Sequence, residues 1–266
     1  MSPIYGQILM QITWDYTNLA KAYLKRPIYS PRAIDALFNI VKIPKKGLIC
    51  DIGAGVGHLT IPLLEHGYKV VAIEPNDNMR NYGQEKTKNY HFVDWFKGTG
   101  EVTGQPTEKF DLVTFGSSFN VTNRILALKE AHRILKQEGW IACLWNHRNL
   151  NNPLQQRVEK IIKKYIPTYQ YGTRREDQSD IILKNKLFNS LNVLKNEFIH
   201  EIEKSAWIEA WWSHATLIRQ AKDQFNFIIK EIEQSISDYP SIIKVPYVTS
   251  MWIAKKCMPS QQYQKQ

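Results

Sequence analysis

The chain is short of the residues that would assign it to several functional classes. Its three cysteines, Cys50, Cys143 and Cys257, are too few and too scattered for a disulfide framework. No Cys/His spacing suits zinc, so no metal is expected, and a reducing, cytoplasmic setting is. Nowhere do about 18 apolar residues follow one another, which speaks against a spanning helix. The opening "MSPIYGQILMQITWDYTN" lacks the positive start and continuous apolar run of a secretory signal, so a soluble protein with no membrane partner is expected. Internal repeats, low-complexity tracts and flexible linkers are also missing, and nothing requires a second independent domain.

Charge of one sign is not concentrated either. Lys and Arg exceed Asp and Glu by 35 to 25, divided as 18 to 13 over residues 1–150 and 17 to 12 over residues 151–266. A protein that tracks a phosphate backbone gathers its cations on one face, so nucleic acid is not the expected partner. The nearest approaches to a basic run, "KIIKKY" at 160–165 and the pair Arg174–Arg175, read as solvated surface.

What is present is an alternation of short apolar runs with amphipathic stretches through the first 146 residues, the pattern of a parallel sheet with covering helices. Strands are predicted at Leu48–Ile52, Lys69–Glu74, Tyr90–Asp94, Phe110–Phe115 and Trp140–Asn146. A helix is predicted from Thr122 to Lys136, with Gly139 as its stop. Before the first strand, two helices are split at Pro27 and Pro31, with Ser30 as an N-cap and Pro31 at the first helical position. After Arg148 the pattern changes to polar-apolar helices, read as an insertion. Two late strands, around Asn196–Glu203 and Lys244–Ala254, complete the sheet around helices at 205–238.

The stretch "LICDIGAGVGHLT" carries the chemistry. A strand ending in Asp51 runs into Gly53, Gly55 and Gly57 and then into a helix, a turn whose backbone can pass close to a ligand. Glu74 closes the next strand, where a carboxylate can accept both hydroxyls of a ribose. The spacing is G-x-G-x-G, not the dinucleotide G-x-G-x-x-G. Asp51 would repel a pyrophosphate and attract an ammonium or sulfonium, so the loop favours a cationic nucleoside.

These residues resemble the class I S-adenosylmethionine-dependent methyltransferases. "DIGAGVGHLT", "VVAIEPNDNMR", "FDLVTFGSSFN" and "RILKQEGWIACLWN" look like that family's successive motifs, and "AKAYLKRPIYS" resembles the lid segment of its small-molecule branch. The resemblance implies an α/β, Rossmann-like seven-stranded sheet with helices on both faces. It implies a lid over residues 1–46, a cofactor-binding core over 47–149, and a helical acceptor-binding insertion with the last strands over 150–266.

S-adenosylmethionine is the implied cofactor and a small molecule the implied acceptor. Asp51, Gly53, Ala54 and Gly55 would hold the methionine end, Glu74 the ribose, and Pro75 and Met79 the adenine. Thr99, Gly100 and Glu101 match the adenine-edge stretch, although many relatives carry aspartate where Thr99 stands. Gly116 and Ser117 would line the methionine side, with Tyr23 and Arg26 closing from the lid. Acceptor contacts are expected from Tyr16, Phe119, Asn120, Trp145, Asn146 and Trp211. Relatives often show histidine where this chain has Asn120, so a general base falls to His147 or His214, each of which also suits a structural role. A nucleic-acid or protein methyltransferase, a nicotinamide-dependent oxidoreductase and a non-catalytic cofactor-binding protein stay open as alternatives.

Overall fold

A computed structural model describes residues 17–257. Seven strands form one sheet: β1 (Leu48–Ile52), β2 (Lys69–Ile73), β3 (Val93–Phe96), β4 (Phe110–Gly116), β5 (Leu135–Arg148), β6 (Phe188–Glu203) and β7 (Ile242–Lys256). Their order is β3-β2-β1-β4-β5-β7-β6, and β7 runs antiparallel between β5 and β6. The chain moves outward from β1 in one direction, then returns through β4 to move in the other. That reversal opens a crevice at the carboxyl ends of β1 and β4, where open parallel sheets take ligands.

Helices α1 (Ala20–Tyr23), α2 (Pro31–Val41), α3 (Thr60–Glu65), α4 (Asp77–Thr87) and α5 (Arg124–Ile134) accompany the parallel half. Ile34 and Leu37 of α2 and Leu63 of α3 pack on Ile49, Val70 and Leu112 on one face, and Leu128 and Ala131 of α5 pack on Val113 and Phe115 on the other. Both faces of the central strands are therefore apolar, which is why β1, β2 and β4 read as continuous runs. Further on, α6 (Pro153–Tyr165) and α7 (Ser179–Leu183) lie between β5 and β6. Helices α8 (Lys204–Trp211), α9 (Ala215–Ala221) and α10 (Phe225–Ser235) lie between β6 and β7. Residues of α6, α8, α9 and α10 share a separate core that includes Val158, Ile162, Trp207, Ile228 and Ile232, closed by Ile243 and Val245 of β7.

Several sequence expectations shift. The third strand lies at Val93–Phe96 rather than 90–94, because Tyr90 is held in a turn by the hydrogen bond its amide donates to the Thr87 carbonyl. Strand β6 starts at Phe188, well before 196; most of it alternates between half-buried and exposed positions, so its apolar signal is diluted. The fifth helix ends at Ile134, where Leu135 turns extended to pair with Phe110. Gly139 therefore lies within β5 and stops nothing. Ser30 occupies the N-cap of α2, but its hydroxyl donates to Asn196 Oδ1 at 2.6 Å instead of accepting from the helix.

Candidate functional site

The glycine turn after β1 is fixed by local sterics. Gly53 has φ +67°, and a Cβ there would lie 2.4 Å from that of Ser118, so only glycine fits between β1 and the loop after β4. The amides of Gly53 and Ala54 both donate to the Ile73 carbonyl, at 2.8 and 3.0 Å, which ties the turn to β2. Glu74 completes the tie: its Oε2 accepts from the Gly55 amide at 2.8 Å and its Oε1 from the Asn76 amide at 2.9 Å. Burial holds the Glu74 carboxyl above its ordinary range, with those two amides opposing the rise.

Asp51 is fully buried beneath the turn. It accepts from Thr60 Oγ1 at 2.7 Å and Thr114 Oγ1 at 2.9 Å, and burial still pushes its pKa up to about 6. From this point a cavity of about 950 Å³, its open mouth included, runs along the turn and under α1 toward α8. Asp51, Gly53, Ala54, Gly55, Gly116 and Ser117 line one end. Arg148, His200, Trp207, Trp211, His214 and Tyr247 line the other. A second cavity of about 500 Å³ adjoins it and shares Tyr23, Arg26, Ser117, Asn146, Arg174 and His214 with the first. Asn120, Trp145 and Thr216 line it as well.

Side chains from distant parts of the chain hold the roof in place. Arg26 donates through Nε to Ser213 Oγ at 2.8 Å and through Nη2 to the Ser213 carbonyl at 2.7 Å. Its guanidinium also sits 4.5 Å from the Tyr23 ring centroid, and Tyr23 stacks on His58 at 5.7 Å. These contacts join α1 to the start of α3 and to the segment between α8 and α9. Tyr29 shares a 3.0 Å hydrogen bond with Ser117 Oγ, and burial raises its phenol pKa. Ser117 has φ +59°, a strained conformation at the carboxyl end of β4.

The imidazoles of the site are neutral. Burial, aided by Lys86, lowers His58 to about 3. Burial lowers His147 to about 3 as well, with Arg175, Arg174 and Lys195 adding repulsion. His214 is held well below its ordinary value by burial and by Arg174, Arg26 and Arg148. Its Nδ1 accepts from the Leu217 amide at 3.4 Å, capping α9, and its ring stacks on Trp211 at 5.2 Å. A neutral imidazole that accepts at Nδ1 carries its proton on Nε2.

A crevice at the strand reversal, an acid under a glycine turn and a second acid on the turn's far side match one kind of domain. Residues 50–143 match a family model described as a methyltransferase domain. Over those residues, from β1 to β5, the chain carries a methyltransferase domain. It is 28% identical to an uncharacterized methyltransferase of Schizosaccharomyces pombe over 56% of this chain and 58% of that one. It is 35% identical to a demethylmenaquinone methyltransferase of Staphylococcus haemolyticus over 47% of this chain and 53% of that one. The chain thus spans little more than half the length of these curated relatives. Its fold is shared by Haemonchus contortus phosphoethanolamine N-methyltransferase 2, solved with phosphomonomethylethanolamine and S-adenosylhomocysteine. That likeness has a TM-score of 0.53 at 15% identity and covers 90% of this chain and 57% of that one.

Within this fold, the cavity gathers Tyr23, Arg26, Asp51, Gly53, Ala54, Gly55, Gly116 and Ser117 from three separate segments. Glu74, Pro75, Met79, Thr99, Gly100 and Glu101 lie outside both cavities. Met79 is packed against Ala20 and Val56 under α1. Thr99 Oγ1 accepts from the Val102 amide, and Glu101 Oε1 accepts from the Asn123 amide just before α5.

Among the acceptor candidates, Trp211 lines the first cavity, Asn120 and Trp145 the second, and Asn146 both. Trp145 Nε1 donates to Asn120 Oδ1 at 2.8 Å. Phe119 is fully buried against Phe115 and reaches neither cavity. Tyr16 lies outside the described residues. His214 lines both cavities and His147 neither, because alternate residues of β5 point to opposite faces and it is Asn146 and Arg148 that face the first cavity.

Sequence reasoning passed over His58, Arg148, Arg174, His200 and Tyr247, all in the lining. It also placed Arg174 and Arg175 on the solvated surface. Both are half-buried, and Arg175 lies over the Tyr171 ring at 4.5 Å while donating to the Arg148 carbonyl. The one available signal was the Tyr-Gly-Thr-Arg-Arg context, which sets the pair beside aromatic residues. Among the described residues, no group of His, Cys, Asp and Glu could hold a metal ion, and no helix is long and apolar enough to cross a membrane.

Proposed function

We propose that this protein transfers a methyl group from S-adenosylmethionine to a small-molecule acceptor. The observation that carries the reading is the continuous cavity from the Asp51–Gly55 turn to the aromatic end at Trp207, Trp211 and Tyr247. The residues fit the cofactor: a carboxylate under a turn with a left-handed glycine at Gly53 and again at Gly55 suits the cationic methionine end, and Glu74 stands beside the same turn. Asp51, Gly53, Ala54 and Gly55 would hold the methionine end, with Gly116 and Ser117 beside it and Tyr23 and Arg26 above. When bound, the cofactor supplies a sulfonium methyl that passes to the acceptor while sulfur keeps the electron pair of the broken bond.

Positioning and water exclusion then supply most of the acceleration. Arg26 pins the α1 segment to Ser213, so that segment serves as a lid, and the α8–α9 region serves as the acceptor wall. His214 presents an Nε2–H donor toward the cavity, a role in orienting an acceptor oxygen rather than in removing a proton. With imidazoles this weakly basic, the acceptor has to be nucleophilic without a strong base. The roofed cavity has no room for a duplex, which supports a small acceptor, as does the name of the demethylmenaquinone relative.

Calorimetry tests the cofactor: S-adenosylmethionine and S-adenosylhomocysteine should bind, and nicotinamide dinucleotides should not. Transfer of label from the cofactor to a metabolite extract tests the activity. Transfer should change little between about 50 and 200 mM salt, whereas six or more phosphate contacts would cost on the order of a thousandfold in affinity. Salt-sensitive methylation of RNA or DNA would overturn the reading.

A further inference from the structure

Arg174 has no part in the chemistry described so far. It stands in the 3-10 turn Gly172–Arg175 between α6 and α7, and it lines both cavities. The other guanidiniums around it are engaged. Arg26 holds Ser213, and Arg148 donates to Gln155 Oε1 at 3.0 Å and Glu159 Oε1 at 2.7 Å. Arg175 donates to the Arg148 carbonyl at 3.1 Å.

Arg174 has no acceptor and no ion pair among the described residues, and its Nε is a buried donor facing nothing that accepts. Carboxylates that could answer it are scarce. Among the described residues Asp51 is the single carboxylate in the lining of the first cavity and already accepts from two threonines, and the second cavity is lined by none. Glu159 is taken by Arg148 and by the Tyr171 hydroxyl. Burial and the neighbouring charges of Arg26, Arg148 and Arg175 lower the Arg174 pKa to about 10.

A guanidinium half-buried among other cations, with its buried Nε unpaired, is unfavourable until an anion meets it. Its planar fork matches a carboxylate or phosphate. The cofactor's own carboxylate is the competing occupant. Position argues against it: Arg174 extends into the second cavity, which includes Asn120, Trp145 and Thr216 but neither Asp51 nor the glycine turn.

We propose that the methyl acceptor carries an anionic group, a carboxylate or a phosphate, that docks on Arg174. The proposal rests on the methyltransferase reading of the cavity and deepens it by naming the acceptor's charge. In this arrangement Asp51 meets the cationic end of the cofactor and Arg174 the anionic end of the acceptor, so each ligand is sorted to its own half of the site.

The test uses the full chain saturated with S-adenosylhomocysteine and four probes of similar shape: benzoate, phenyl phosphate, benzamide and benzylammonium. Calorimetry should show both anions binding and the neutral and cationic probes failing to compete with them, with the preferred anion separating carboxylate from phosphate. Arg174→Gln should weaken the anions by about tenfold or more, and Arg174→Lys by less, while both variants keep wild-type affinity for S-adenosylhomocysteine. Binding of benzylammonium or benzamide as tight as that of the anions, no anion binding, or anion affinity unchanged in Arg174→Gln would overturn the proposal. A tenfold loss of S-adenosylhomocysteine affinity in Arg174→Gln would overturn it too, by giving the guanidinium to the cofactor carboxylate. Failure of the wild-type protein to bind S-adenosylhomocysteine at all would instead sink the methyltransferase reading itself.

Discussion

Asp51 is predicted to lower the stability of the fold at neutral pH while serving the site. Its carboxyl is fully buried with two neutral hydroxyl partners, and its pKa rises from 3.8 to about 6. Because the folded value lies above the unfolded one, the folded protein holds this proton more tightly. The resulting stability is present below the unfolded value and lost as pH rises through about 6. By pH 7.5 the difference amounts to about 3 kcal/mol.

Asp51→Asn removes that cost while keeping the shape, but one threonine hydroxyl must turn from donor to acceptor to meet the new amide, at about 1 kcal/mol. The variant should therefore melt roughly 4–8 °C above wild type at pH 7.5, and the gain should shrink to nothing or reverse near pH 4.5, where Asp51 is protonated. Affinity for S-adenosylmethionine should fall at the same time, since the amide offers no charge to the cationic methionine end. Thermal melts at the two pH values, paired with calorimetry at pH 7.5, check both halves. An Asp51→Asn protein that melts below wild type by the same margin at both pH values would refute the burial argument.

Glu74→Ala should weaken S-adenosylmethionine binding at least tenfold, because it frees the Gly55 and Asn76 amides and removes a carboxylate from beside the turn; unchanged affinity would mean that the ribose is held elsewhere. Gly53→Ala should destabilise the protein by about 2–4 kcal/mol in chemical denaturation, since its methyl would meet Ser118 at 2.4 Å on a left-handed backbone. Gly55→Ala, facing only the Met79 methyl at 3.5 Å, should cost less, and equal losses would point to backbone strain alone. In wild type, saturating cofactor should slow tryptic cleavage at Lys21 and Lys25; Arg26→Ala should abolish that protection by releasing α1 from Ser213, and equal protection in both would end the lid assignment.

The parts legible in the sequence are those whose causes are local. Strands β1, β2 and β4 are buried on both faces and announce themselves as apolar runs. The glycine turn does so through three residues that tolerate φ above zero, and Asp51 and Glu74 through their places at strand ends. Signals weaken where burial is one-sided: most of β6 alternates between half-buried and exposed residues, so its first half carries no apolar run, and the helix before Gly139 ends through the pairing of Leu135 with Phe110, not through glycine chemistry.

The far end of the cavities was legible only in part: Asn120, Trp145, Asn146, Trp211 and His214 line them, whereas Arg148, His200 and Tyr247 carry no local mark of it. Arg26 and Ser213 lie 187 positions apart and meet only because α8 folds back over the sheet from β6. The same return brings His200, Trp207 and Tyr247 to face a turn at residues 53–55. For Arg174 the neighbouring Tyr171 is the one local signal, and it does not say which charge the cation meets. Its partners are set by which carboxylates the fold brings near it, and among the described residues the fold brings Glu159 to Arg148 and none to Arg174. Local sterics and burial periodicity thus determined the glycine turn from sequence, whereas the charge around Arg174 is a property of long-range packing, which decides which ions the fold pairs.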